Sequence, residues 1–312
     1  MCCLFGMIDV NHHFTAREKT RMMSILATAC EVRGTDATGI AYNSRGSLHI
    51  HKRPLPAHKM RIRIPEDACI IMGHTRMATQ GPAKFSKNNH PFLGQAGEQT
   101  FALAHNGVLW NDRQLRKKFR LPSTTIATDS YVAVQLIEQK KELSFESLRH
   151  MAETVEGSFV FTALNSNNEL YFIKGDNPLC IYHFPSVGLY IYASTEEILK
   201  LGLYQMPLDF GTPEPIFLAC GDILKITQSG QQTIHHFSAP NLWFRPHLSP
   251  WRFLSTSTPK GNCCNNTPAQ EYLHDLKTIA QYYGYAPDIV DSLVEDGYTL
   301  DDVEELLCCG CV

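Results

Sequence analysis

The strongest constraint on this chain is a succession of short apolar segments in two blocks, with helical stretches set between them. Residues 2–8, 38–43, 47–53, 68–75 and 100–105 read as strands, and so do 158–164, 170–174, 179–183, 189–193, 222–227 and 232–237. Between the blocks, one helix is expected over about 128–141. A second is expected over 144–157, with Leu148, Met151, Ala152 and Val155 on one face. A further helix follows the first strand. Thr15-x-x-Glu18 forms a capping box, Met22, Ile25, Leu26, Ala29 and Val32 keep helical spacing, and Gly34 stops it. Short strands on both sides of paired helices predict a layered α+β fold with antiparallel sheets.

Composition narrows the class. The 312 residues suggest roughly two domains, and 44% hydrophobic with 19% charged residues excludes wholesale disorder. A net charge of −3 gives no basic excess for nucleic acid. No apolar run approaches the roughly 18 residues that span a bilayer, and the start lacks a signal-peptide pattern. A soluble cytoplasmic protein with no membrane association is the expectation. The charge is uneven: residues 268–312 hold ten acidic residues and one basic, a net of −9, which leaves +6 on the residues before them. Helical spacing returns there in three short segments, near 269–283, 287–295 and 299–308, broken at Gly284 and Gly297. The expected organisation is therefore a domain over 2–238, a linker over 239–267 containing Trp243 and Trp251, and an acidic three-helix extension over 268–312.

Eleven cysteines, an odd number without a secretion signal, read as reduced thiols. Cys30, Cys69, Cys180 and Cys220 lie among apolar neighbours and read as core. Cys263, Cys264, Cys308, Cys309 and Cys311 lack the C-x₂-C spacing of a zinc knuckle, so no metal site is expected. No P-loop or dinucleotide fingerprint is present, and no cofactor is expected. His12-His13 and His235-His236 read as surface pairs.

Cys2 is the residue with chemistry to offer. Removal of Met1, favoured by a small second residue, would leave a thiol and a free α-amine on one residue. An α-amine pKa of about 7.7–8.0 suits a general base near neutrality. Four segments accompany it: 33–40 (Arg-Gly-Thr-Asp-Ala-Thr-Gly-Ile), 73–81 (Gly-His-Thr-Arg-Met-Ala-Thr-Gln-Gly), 104–107 (Ala-His-Asn-Gly) and 128–130 (Thr-Asp-Ser). Singly, each has a plainer meaning. Asn106-Gly107 could be a hairpin turn, Asp129 a helix cap and Arg76 a surface ion-pair partner.

Taken in order, the five segments resemble the class II glutamine amidotransferases, which belong to the N-terminal nucleophile hydrolases. The resemblance covers residues 2–235 and implies a four-layer αββα sandwich of antiparallel sheets, with the small helical unit appended. It implies that Cys2 attacks the side-chain amide of L-glutamine to form a thioester. Asn106 and the Gly107 N–H would supply the oxyanion hole, and Arg76 would grip the α-carboxylate. Asp129 would pair with the α-ammonium, Thr79 would add a hydrogen bond at the carboxylate end, and Arg33 would support the first strand. Three positions depart from the pattern: Cys3 stands where glycine is usual, Met77 replaces an aromatic residue and Tyr131 replaces a glutamate. The family usually joins this domain to a synthase that consumes the ammonia. The roughly 70 remaining residues are too few for one. A separate ammonia-accepting subunit is therefore expected, and a homo-oligomer is an open possibility. The acidic extension faintly resembles a ubiquitin-associated-type three-helix domain. The alternative reading is a catalytically silent glutamine-sensing adaptor that binds partners through the tail.

Overall fold

The computed structural model describes residues 2–238 and, farther on, 285–300 with isolated positions between 273 and 306. The chain divides into two compact units, Met1–Phe244 and Arg245–Val312.

Strand β1 (Cys3–Asp9) is buried along its whole length and opens the first unit. Its alternation decides the layering. Cys3, Phe5 and Met7 join one core, while Leu4 and Ile8 join another on the opposite face. Helix α1 (Ala16–Ala29) starts with both hydrogen bonds of the Thr15–Glu18 capping box. It ends in a 3₁₀ turn, Cys30–Arg33, whose terminal cap is Gly34. Strands β2 (Ala37–Ser44), β3 (Ser47–Arg53) and β4 (Ile70–Arg76) follow, then β5 (Phe92–Ala96) and the long β6 (Gln99–Leu109). Helices α2 (Asp112–Lys118), α3 (Tyr131–Gln139) and α4 (Phe145–Thr154) separate these from β7 (Gly157–Asn165), β8 (Glu169–Lys174), β9 (Cys180–Phe184) and β10 (Leu189–Ala193). Helix α5 (Glu196–Gln205) precedes β11 (Glu214–Ile216), β12 (Asp222–Thr227) and β13 (Gln232–His236).

Among the described residues, two sheets form. The first has seven strands in the order β11-β9-β10-β1-β4-β2-β3, and the second has six in the order β13-β12-β8-β7-β6-β5. Their strand pairings are antiparallel. Leu4, Ile8, Met72, Ala104, Phe172 and Tyr192 pack between the sheets. Helices α1 and α5 cover the outer face of the first sheet, and α2, α3 and α4 that of the second. The result is the expected αββα stack. Full burial of side chains such as Phe5 and Phe161 stabilises it by about 1.5–3 kcal/mol each.

An ion pair lies inside this stack. Lys19 and Asp9 are both fully buried, 3.3 Å apart. The Lys19 ammonium also donates to the carbonyls of Glu66 and Ala68, while Asp9 accepts from the His13 and Phe14 N–H groups. This satisfied network ties α1 to the end of β1.

Four elements escaped the sequence reading. Strand β5 is short and follows Pro91, yet Phe92, Gly94 and Ala96 alternate inward. Helices α2 and α5 are 7 and 10 residues long, and α5 follows β10 with only Ser194 and the Thr195 cap between them. Strand β11 has 3 residues. Cys220 corrects the core assignment: it is exposed, and Cys180 is only half-buried. His12, His13, His235 and His236 are exposed as expected, although His235 stacks on Phe145 at 3.8 Å.

The second unit contains helix α6 (Asp288–Glu295), and Leu276, Ala280, Val290 and Val303 are buried together. Thr299 and Asp302 exchange capping hydrogen bonds, with Asp302 N–H donating to Thr299 Oγ1 at 3.2 Å. The linker tryptophans and Cys263, Cys264, Cys308, Cys309 and Cys311 lie outside the described residues.

Candidate active site

The antiparallel register brings the site together. Cys3 faces Thr75 across the β1–β4 ladder, and one step farther lie Cys2, just before β1, and Arg76, the last residue of β4. The half-buried Cys2 thiol donates to the Met77 carbonyl at 3.5 Å. Arg33 Nε donates to the Cys2 carbonyl at 2.9 Å, so the 3₁₀ turn after α1 holds the start of β1. Asp36, in the same segment, accepts from the Ala78 N–H at 2.7 Å and fixes the chain just after β4. The 33–40 segment thus grips both strand ends.

Arg76 is 3% exposed. Its guanidinium donates to Asn89 Oδ1 at 2.7 Å and to the carbonyls of Gln80 and Gly81. All three acceptors are neutral, and among the described residues Arg76 has no carboxylate within ion-pair distance. The surface ion-pair reading is excluded. Burial pushes the Arg76 pKa down, and the charges of Cys2, Asp129 and Asp36 only partly oppose that shift. A buried cation without a counter-ion, with at least two N–H donors left over, has the charge and the donors to receive an anion.

The second sheet contributes the remaining groups. Asn106 and Gly107 lie within β6, paired with Val160 and Phe159 of β7, so this Asn-Gly is not a hairpin turn. Gly107 has φ +142°, and a Cβ there would lie 1.9 Å from the Ser158 carbonyl oxygen. Asn106 is buried, and its carboxamide donates to Ser194 Oγ at 3.4 Å. The same oxygen accepts from the Leu4 N–H at 2.8 Å, linking the two sheets at the site. Asp129 does not cap α3. Its Oδ2 accepts from the Leu109 N–H at 2.7 Å, which fastens it to the end of β6. Thr79 is exposed on the loop after β4.

Comparison with known proteins bears on the domain and its fold. Residues 74–200 match a glutamine amidotransferase domain family. Glutamine–fructose-6-phosphate aminotransferase of Sulfurisphaera tokodaii is 30% identical over 193 residues, 58% of this chain and 31% of the relative. The 7-cyano-7-deazaguanine synthase of Sulfolobus acidocaldarius is 23% identical over 207 residues, 63% of this chain and 44% of the relative. The chain thus spans about a third to under a half of the length of these curated relatives. Two solved structures share the fold at 19% identity. One is glutamine phosphoribosylpyrophosphate amidotransferase from B. subtilis, with TM-score 0.60, covering 76% of this chain and 49% of that one. The other is an allosteric regulatory enzyme of purine biosynthesis, with TM-score 0.62, covering 90% and 58%. Residues 74–200 thus resemble a glutamine amidotransferase domain, within a fold shared with these two solved structures.

Two departures from the pattern of the family that the chain resembles now have places. Cys3 points away from Cys2 into the α1 side of the core, where it shares a cluster with Cys30 and its thiol donates to the Leu4 carbonyl at 3.4 Å, and both cysteines remain free thiols. Tyr131 opens α3 and meets the Phe92 ring edge-on at 5.5 Å. Behind the site lie His74, His90 and His105, all fully buried. Burial holds each ring neutral, pushing His74 down to about 3. His105 Nδ1 meets Ser130 Oγ at 2.8 Å, and Ser130 in turn donates to Asp129. Ser194, Asp36 and Asn89 were not legible as site residues. Each acts through a contact between segments apart in sequence: no local motif marks Ser194 or Asn89, and the 33–40 motif that contains Asp36 gave it no role of its own.

Among the described residues, no cluster of His, Cys, Asp or Glu could hold a metal ion, and no helix is long and apolar enough to cross a membrane.

Proposed function

We propose that the chain hydrolyses the side-chain amide of L-glutamine through Cys2. The observation that carries this reading is the buried, carboxylate-free Arg76 fork beside the Cys2 thiol, with Asp129 close enough for its charge to act on both. A zwitterionic amino acid answers such a site, with its carboxylate on Arg76 and its ammonium on Asp129.

Burial pushes the Cys2 thiol above its ordinary pKa, so at neutral pH it rests protonated. A base must take that proton as the sulfur adds. Once Met1 is removed, the α-amine of Cys2 is placed to do so. Sulfur then bonds to the amide carbon, and negative charge on the amide oxygen is received by the Asn106 carboxamide and the Gly107 N–H. Collapse breaks the C–N bond, and the α-ammonium returns its proton to the departing nitrogen, releasing ammonia and leaving a γ-glutamyl thioester. Water, deprotonated by the same amine, cleaves the thioester to glutamate and regenerates the thiol. Thr79 would reach the substrate carboxylate from the exposed loop after β4, and Arg33 would keep Cys2 in register.

The ammonia goes to an acceptor on a partner subunit in the cytoplasm. The curated relatives, whose names describe amino transfer and a synthase, extend well beyond the matched region and support that reading. The 2–238 domain is the catalytic body, and the 268–312 extension is the docking element. Assay of glutamate and ammonia release, with intact-mass analysis of the active protein, tests the reading. Retention of Met1 in active protein would overturn the N-terminal mechanism, and glutamine binding without turnover would leave the adaptor role instead.

A further inference from the structure

Lys52 on β3 is half-buried and has no acidic partner among the described residues. Its ammonium donates to the carbonyls of Asn89 at 2.6 Å and Pro91 at 2.8 Å, and lies 4.9 Å from the Phe92 ring centroid. The strand beside it makes room: a Cβ on Gly39, its ladder partner, would lie 2.1 Å from the His90 carbonyl oxygen. Asn89 is fully buried and fixed from three directions. Lys52 holds its carbonyl, its Nδ2 donates to the Ala83 carbonyl at 2.7 Å, and its Oδ1 receives Arg76 Nη1. Every other acceptor on that guanidinium is a loop carbonyl.

We propose that Lys52 and Asn89 are positioning residues for glutamine recognition: Lys52 fixes the backbone of Asn89, and the Asn89 carboxamide sets the Arg76 fork for the substrate carboxylate. This rests on the glutaminase reading above. The choice of a carboxamide at position 89 matters chemically. A carboxylate there would pair with Arg76 and compete with the substrate, whereas Asn89 orients the cation without neutralising it. Lys52 acts the same way, adding positive potential beside Arg76 while spending its donors on neutral carbonyls.

The arrangement has a pH signature. Burial, then the charge of Arg76, lowers the Lys52 pKa to about 8. The groups facing it are Arg76 and His74 on β4 and His90 before β5, with His51 and Arg53 on its own strand. The histidines there are depressed and already neutral near pH 8. As pH rises through about 8, Lys52 loses its charge, its grip on Asn89 weakens, and glutamine affinity falls. The loss belongs to the free protein, so it enters kcat/KM rather than kcat.

The test measures L-glutamine affinity by calorimetry on the full chain carrying Cys2→Ala, and KM and kcat on the active chain from about pH 7 to about pH 9.5. Lys52→Met and Asn89→Ala should each raise Kd and KM about five- to twentyfold and leave kcat within about threefold. Asn89→Asp should weaken binding further through its new pair with Arg76. Lys52→Arg should keep near-parental affinity and abolish the loss of kcat/KM near pH 8, since guanidinium stays charged. Should Lys52→Met fail to fold, Asn89→Ala and Lys52→Arg carry the test. Parental affinity in Asn89→Ala, or an unchanged alkaline loss in Lys52→Arg, would overturn the proposal. Binding without turnover defeats only the glutaminase reading, because the affinity series still decides this one. Absence of glutamine binding by the parent chain would end both.

Discussion

The two sheets build their parts of the site by different means. On the first, Cys2 and Arg76 stand at strand ends, where the ladder stops, and each is held by contacts from loops: Arg33 on Cys2, and Asn89, Gln80 and Gly81 on Arg76. On the second, Asn106 and Gly107 sit inside the β6–β7 ladder. The difference matches the proposed chemistry. The substrate's α-carboxylate carries its charge throughout, so its receptor can tolerate adjustment. The oxyanion forms only in the transition state, and donors fixed in a ladder meet it without reorganisation. Ser194 touches both halves.

Substitutions can break that division in order of severity. Cys2→Ala should abolish turnover and covalent labelling by a glutamine-analogue electrophile. Labelling that persists and maps to Cys3 would contradict the burial of that thiol on the far face of β1. Next comes Asn106→Ala, expected to cut kcat by about 10²–10³ with little change in KM. A change confined to KM would show that the rigid half binds ground-state substrate. Arg76→Ala and Asp129→Asn should act mainly on KM, by about tenfold to a hundredfold, as steady-state kinetics would reveal. Smallest is Ser194→Ala. Its bond to Asn106 is long, so kcat should fall by no more than about fivefold. A larger loss would mean that the two halves work as one unit.

Stability offers a separate measure of how much lies outside the sequence pattern. Lys19 lies on α1, one position past the capping Glu18. In the folded chain it is fully buried against Asp9. Lys19→Ala would leave that carboxylate buried and unpaired, and denaturant melts should show a loss of about 3–5 kcal/mol.

The strands on either side of the paired helices, the Thr15 cap and the order of the five motifs were all readable, because alternation, capping and short motifs are local. Strand β5, helices α2 and α5 and strand β11 were not. Their lengths give periodicity too few repeats, and packing rather than propensity stabilises them. The site divides the same way. The residue types at positions 2, 76, 106, 107 and 129 were legible as a set of chemical groups, and the family resemblance supplied their roles. Sequence left open whether Asn106-Gly107 was a turn, Asp129 a cap and Arg76 a surface cation. Register settled the first, the Leu109 N–H the second, and burial without a counter-ion the third. Each answer depends on segments tens of residues apart, and only the closed sandwich brings those segments within hydrogen-bond distance.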